Sequence, residues 1–183
     1  AQAVMTSPDH ISGMDRFAEA ANILKLGINT PIINLQGDEP FMPLEILNSL
    51  SNFLCSETPI ATACLAFNDQ DQIQNPNEVK VVRSRSNRAM YFSRSPIPYD
   101  VEQRNDSHLK HLGIYAYTNQ TLQELSKLKA SPNEKSEKLE QLRFLENGFN
   151  IYVQNYECKC PIGIDTPEDL IAANKFAKIY DSI

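Results

Sequence analysis

The sequence predicts an α/β fold, a three-layer core with a strand-rich insertion. Three observations carry this reading. Apolar, β-branched runs alternate with helical stripes through the first part of the chain. Strand-like segments then cluster around Pro96 and Pro98. Finally, Pro31-Ile32-Ile33-Asn34-Leu35 breaks abruptly into Gln36-Gly37-Asp38-Glu39-Pro40, and ligands of open α/β sheets bind just beyond such strand ends.

In chain order, residues 1–5 read as a strand. Met14 to Leu26 suits a helix, with Phe17, Ala20, Ala21 and Leu24 on one stripe. Pro31 to Leu35 is a buried strand, and Pro43 to Leu54 a helix with proline in its first turn. Pro59 to Phe67 is strand-like, as are Glu78 to Val82 and Arg88 to Phe92. Pro96, Pro98 and the polar stretch from Glu102 to Lys110 form a loop, so that about 88–118 makes a strand-rich excursion. His111 to Tyr117 is a strand. Asn119 to Leu128 and Asn133 to Asn147 are helices; Leu139, Leu142 and Leu145 stripe the second, and Gly148 stops it. Phe149 to Gln154 is a strand and Pro167 to Tyr180 a closing helix.

Bulk properties narrow the function. A chain of 183 residues suits one domain, and its 42% hydrophobic content supplies a core. The net charge of −6 argues against nonspecific nucleic-acid binding, which needs a basic surface. A few local arginines still suffice for an anionic substrate. No apolar run approaches bilayer-spanning length, and residues 1–5 do not open a secretory leader. Cys158-Lys159-Cys160 lacks the usual zinc spacing, and the four cysteines read as reduced thiols of a cytoplasmic protein.

Several clusters carry chemistry, each with a plainer alternative. Asp38 and Glu39 sit where a hard cation binds, or form an acidic turn. Asp165-Thr166-Pro167-Glu168-Asp169 is a helix start, with Thr166 as cap and Pro167 at the first helical position; Asp165 lies just outside it. Tyr91, Ser93 and Arg94 end a strand, where the guanidinium suits a carboxylate and the hydroxyls suit a sugar, or where Arg94 is simply solvated. His111, Gly113 and Tyr115 share one strand face, and the glycine leaves room there. Glu140, Gln141 and Arg143 lie on the leucine-striped helix, where Glu140 and Arg143 also suit a surface pair. Asp9 to Arg16 precedes or opens a helix; Ser12, Gly13 and Asp15 suit a loop followed by an N-terminus, whose backbone N–H groups either meet an anion or are capped.

Six segments, in order, resemble the 3-deoxy-manno-octulosonate (Kdo) cytidylyltransferase family. They are Asp9-His10-Ile11-Ser12-Gly13-Met14-Asp15-Arg16, Asn34-Leu35-Gln36-Gly37-Asp38-Glu39-Pro40, Tyr91-Phe92-Ser93-Arg94, His111-Leu112-Gly113-Ile114-Tyr115, Leu139-Glu140-Gln141-Leu142-Arg143 and Gly163-Ile164-Asp165-Thr166-Pro167-Glu168-Asp169. The resemblance implies a Rossmann-like nucleotidyltransferase core with a mostly parallel sheet. It implies cytidylyl transfer from CTP to Kdo for lipopolysaccharide biosynthesis, in a cytoplasmic homodimer. It assigns Asp38 and Asp165 to catalytic Mg2+. It assigns Tyr91, Ser93, Arg94, His111, Tyr115, Glu140 and Gln141 to the sugar acid, with Arg143 in support, and Ser12, Gly13, Arg16 and Gln36 to ligand contacts near the nucleotide. Met14 stands where the family carries threonine. The family's opening motif, of the type P-A-R-x-x-S-x-R-L-P-x-K, does not occur in these 183 residues, so this stretch by itself is expected to turn over poorly. The rival expectations are a related sugar acid, such as sialic acid or an amino-substituted Kdo, and a noncatalytic fragment that keeps the pocket.

Overall fold

The structure is a computed structural model that describes residues 2–10, 12–55, 57–67, 70–102, 107–157, 163–164 and 166–180. Its elements run α1 (Gly13–Ile23), β1 (Pro31–Asn34), α2 (Leu44–Phe53), β2 (Ile60–Ala66), α3 (Gln70–Ile73), β3 (Lys80–Arg83), β4 (Ala89–Ser93), β5 (Leu109–Thr118), α4 (Asn119–Leu125), α5 (Pro132–Glu137), α6 (Gln141–Glu146), β6 (Tyr152–Tyr156) and α7 (Pro167–Tyr180). The predicted α/β class holds. The short α3 is the one described helix that the sequence reading passed over.

The six described strands make one sheet, ordered β4-β3-β5-β2-β6. The long β5 is its axis. One edge pairs antiparallel with β2, while the other is shared by β1 and β3. Only β2 and β6 pair in parallel among the described strands, so the sheet is mixed, not mostly parallel. The cause is β5, which enters the sheet against the direction of β1, β2 and β3.

Alternation along the strands sorts side chains onto two faces. Ile60 and Cys64 of β2 join Tyr115, Tyr117, Phe92 and Val153 under α1, α4 and α6. Ala61, Ala63 and Leu65 join Leu112, Ile114 and Ala116 under Ile46 and Leu50 of α2. Helices thus cover both faces, giving the expected three layers.

Two expectations fail locally. Residues 2–5 form no strand; they pair with no neighbour among the described residues, and Met5 is fully exposed. The adjacent segment is tied to α1 instead, since Ser7 N–H donates to Glu19 Oε2 at 2.8 Å and the His10 ring meets the same oxygen at 2.6 Å. The single helix expected over 133–147 is two. Lys138 takes the left-handed conformation, with φ of 55°, and ends α5 before α6 begins. A residue there cannot continue a right-handed helix.

Candidate functional site

Asn34 ends β1 and Gln36 follows it, His111, Gly113 and Tyr115 face inward from β5, and Glu140 caps α6. Together with Val79, Tyr117, Leu139, Gln141 and Phe144 they line a cavity of about 220 Å³. Six residues singled out from the sequence therefore converge: Gln36, His111, Gly113, Tyr115, Glu140 and Gln141. The helix break decides this convergence. The left-handed Lys138 turns the chain so that Glu137 faces β4 while Glu140 faces the cavity.

Two buried polar atoms in this cavity make no hydrogen bond, the Tyr115 hydroxyl and Glu140 Oε1, although Glu140 Oε1 does lie 3.7 Å from Arg143 Nη2, the pair its spacing suggested. Such atoms cost free energy when left alone and point to a missing ligand. Burial is the main force raising the Glu140 carboxyl above the usual carboxylate range; Arg143 pulls the other way. Burial likewise pushes the Tyr115 phenol far upward, with Tyr117 and Glu140 adding to it. Both groups thus keep their protons more readily than in water.

His111 is the most constrained group. Its ring packs edge-on against Phe92 at 4.9 Å and lies 5.4 Å from Tyr115. Desolvation lowers its pKa from 6.5 to about 3, so the ring is neutral at physiological pH. The sign of the linkage follows. The folded value is depressed, so the ring's contribution to stability is full above pH 6.5 and is lost as pH falls toward about 3. At pH 5 the loss is about 2 kcal/mol. Urea unfolding of His111→Gln should therefore show a shallower acid limb than wild type, and parallel limbs would contradict a buried neutral ring.

Gly113 is the open side of this wall. It is exposed between the buried His111 and Tyr115, and a Cβ there would meet nothing within 4 Å. Gly113→Val should leave thermal unfolding unchanged and raise the KM for the cavity's ligand by about tenfold or more. Loss of stability with unchanged KM would assign the glycine to packing.

The remaining predicted residues do not line the cavity. Ser12 caps α1 by accepting from Asp15 N–H at 3.3 Å and stands beside Glu140. A Cβ on Gly13 would lie 4.0 Å from Gln36 Nε2, which itself donates to Asn34 Oδ1 at 3.3 Å. Arg16 is exposed and donates to Thr6 Oγ1 and the Ser7 carbonyl, away from the cavity. Arg143 forks onto Glu134 at 2.9 and 2.5 Å and also reaches the Leu128 carbonyl, so it buttresses α6. Ser93 and Arg94 gather on Glu137. The Ser93 hydroxyl donates to it at 2.6 Å and the Arg94 N–H at 2.9 Å, while Arg94 Nε takes the Glu137 carbonyl and Nη1 the Pro76 carbonyl. Tyr91 is close enough to Glu137 and Glu146 for their charges to add to burial in raising its phenol.

Asp38 is exposed in the turn after β1. Its carbonyl accepts from Ile164 N–H at 2.8 Å, which brings the residue preceding Asp165 against the Asp38 turn. Asp165 itself lies outside the described residues, as do Cys158 and Cys160.

The sequence reading missed Asn34, Tyr117, Thr62, Lys80 and Glu137. Strand alternation offered a signal for Tyr117, which shares Tyr115's face. The hydrogen-bond partners of Thr62 and Glu137 are distant in sequence, and Lys80 joins the nearby Asn75 and Glu78 carbonyls to that of Arg94, a combination no local pattern marks.

Comparison with known proteins agrees with this geometry. A cytidylyltransferase family model matches residues 1–154. The 3-deoxy-manno-octulosonate cytidylyltransferase of Polynucleobacter asymbioticus is 44% identical over 174 residues, covering 92% of this chain and 68% of that protein. The enzyme of the same name from Francisella tularensis subsp. holarctica is 41% identical, covering 98% and 75%. A solved structure of CMP:2-keto-3-deoxy-manno-octonic acid synthetase complexed with CTP superposes with a TM-score of 0.86 at 37% identity, covering 98% of this chain and 73% of that one. The motifs, the mixed sheet and the cavity between β5 and α6 thus have one common explanation: the chain belongs to the cytidylyltransferase family, alongside the 3-deoxy-manno-octulosonate cytidylyltransferases.

Proposed function

We propose that this protein transfers a cytidylyl group from CTP to Kdo, releasing pyrophosphate and forming CMP-Kdo. The observation that carries this is the cavity with its two buried polar atoms that make no hydrogen bond, beside the Asp38 turn. A sugar acid brings several hydroxyls, which suit the Tyr115 hydroxyl, the Glu140 carboxyl and the Gln141 amide. The anomeric hydroxyl oxygen forms the new bond to the α-phosphorus, the bond to pyrophosphate breaks, and the hydroxyl proton is released. No covalent enzyme intermediate is needed. The residues act by holding the sugar in line with the phosphorus and by excluding water.

The carboxylates of Asp38 and Asp165 would supply hard oxygens to Mg2+, which is satisfied by one or two carboxylates with phosphates and waters. The Ile164 N–H bond to the Asp38 carbonyl places the residue before Asp165 at this turn. The metal would offset negative charge developing on the phosphate oxygens. Arg94 serves the sugar carboxylate on this reading, held at the end of β4 by Glu137.

A homodimer accords with the family, and Met90, Tyr99 and Val101 supply exposed apolar surface in the 88–118 region; sedimentation equilibrium tests it. No described helix is long and apolar enough to cross a membrane. A cytoplasmic place in lipopolysaccharide precursor synthesis follows from the proposed product. The test of the reaction is pyrophosphate release by the intact protein, with CTP and ATP in turn and with Kdo, amino-substituted Kdo and sialic acid. Preference for ATP, or for sialic acid over Kdo, would overturn the assignment.

A further inference from the structure

The pairing of β2 with β5 slips at one place. Thr62 opposes Tyr115, but Ala63 opposes Leu112, so Gly113 and Ile114 have no opposite residue. The slip is by two, which preserves facing, and His111, Gly113 and Tyr115 all still line the cavity. Bulges of this kind recur next to active sites, where they re-aim side chains. The wholly buried Thr62 hydroxyl fills this one. Its oxygen lies 2.7 Å from the Ile114 carbonyl, 3.3 Å from the Leu112 carbonyl and 3.0 Å from His111 Nε2.

That arrangement fixes the protons. A carbonyl only accepts, so the short contact with Ile114 requires the Thr62 proton. The hydroxyl oxygen is then left as an acceptor toward His111, and Nε2 must carry a proton. The ring is neutral, so Nδ1 has none.

We propose that Thr62 is a positioning residue for the transfer: its hydroxyl spans the β5 bulge and locks His111 as the Nε2–H tautomer, keeping Nδ1 as an acceptor for a sugar hydroxyl. The role in transfer rests on the functional reading above, whereas the tautomer does not. A threonine is suited to the place because it carries both the hydroxyl and a methyl that a buried strand accommodates.

The experiment is nitrogen-15 NMR of the histidine rings in the intact protein, with the His111 signal assigned by its loss in His111→Gln. It is paired with steady-state kinetics of Thr62→Val and Thr62→Ser. Wild type should show the Nε2–H pattern. Thr62→Val should shift the ring toward the other tautomer and raise the sugar KM about tenfold, with the CTP KM unchanged. Thr62→Ser should restore both. An Nδ1–H ring in wild type would overturn the proposal whatever the activity. So would an unaltered ring in Thr62→Val, or a well-folded Thr62→Ser that behaves like Thr62→Val. Should Thr62→Val not fold, the wild-type ring and Thr62→Ser still decide. An Nε2–H ring in a protein that releases no pyrophosphate from CTP and Kdo would instead overturn the functional reading and uphold the tautomer lock.

Discussion

Asp38→Asn is expected to cut turnover by about a hundredfold or more, because removing one group that offsets developing charge costs several kcal/mol of transition-state stabilisation. The side chain is exposed and the fold uses the Asp38 backbone, through the carbonyl that accepts from Ile164. An amide in place of the carboxylate leaves that hydrogen bond intact, so circular dichroism and thermal unfolding should match wild type. Asp165→Asn should behave alike. The measurement is pyrophosphate release at saturating CTP and Kdo over a range of Mg2+. Turnover near wild type for Asp38→Asn would return this turn to surface chemistry. Wild-type turnover for Asp165→Asn alone would leave Asp165 as a helix-start residue.

Lys80→Met should destabilise the fold by about 3 kcal/mol or more. The residue is fully buried on β3, and its ammonium donates to three backbone carbonyls, those of Asn75 at 3.0 Å, Glu78 at 2.7 Å and Arg94 at 2.6 Å. Methionine keeps the volume but removes all three donors, and each carbonyl left without a partner costs its own desolvation. For a chain of this size the melting temperature should fall by roughly 6–12 °C. The Arg94 carbonyl belongs to the turn that carries the proposed sugar-acid arginine, so the surviving protein should also show a raised KM for Kdo. Denaturant unfolding decides, and a variant within about 1 kcal/mol of wild type would mean that water replaces the ammonium.

How much of this was legible depends on distance along the chain. The strand ending in Asn34 and the turn around Asp38 were readable because apolar run and turn chemistry are contiguous. The shared face of His111, Gly113 and Tyr115 was readable from strand alternation, and it survived the bulge because the slip is an even number of residues. The helix over 133–147 was misread because Lys138 is an ordinary helix former, and nothing local marks its left-handed backbone. The mostly parallel sheet that the resemblance implied gave way to a mixed one for a related reason. Strand pairing is set by loop closure and face burial across the whole sheet, not by the strand's own sequence.

The sequence alone determined the α/β class, the order of nearly every element, and the family, through six ordered motifs whose residues are local to each segment. Tertiary structure decided which of those motif residues share a cavity and which serve as supports. Gln36, His111, Tyr115, Glu140 and Gln141 line it. Arg143 is engaged with Glu134 and pairs at 3.7 Å with Glu140, while Ser93 and both the backbone and guanidinium of Arg94 are engaged with Glu137. It also supplied Thr62, whose partners lie across the sheet on β5, and Lys80, which joins the neighbouring Asn75 and Glu78 carbonyls to that of Arg94. The physical reason is that periodicity reports which way a side chain points, whereas burial, proton placement and charge depend on what the rest of the chain brings against it.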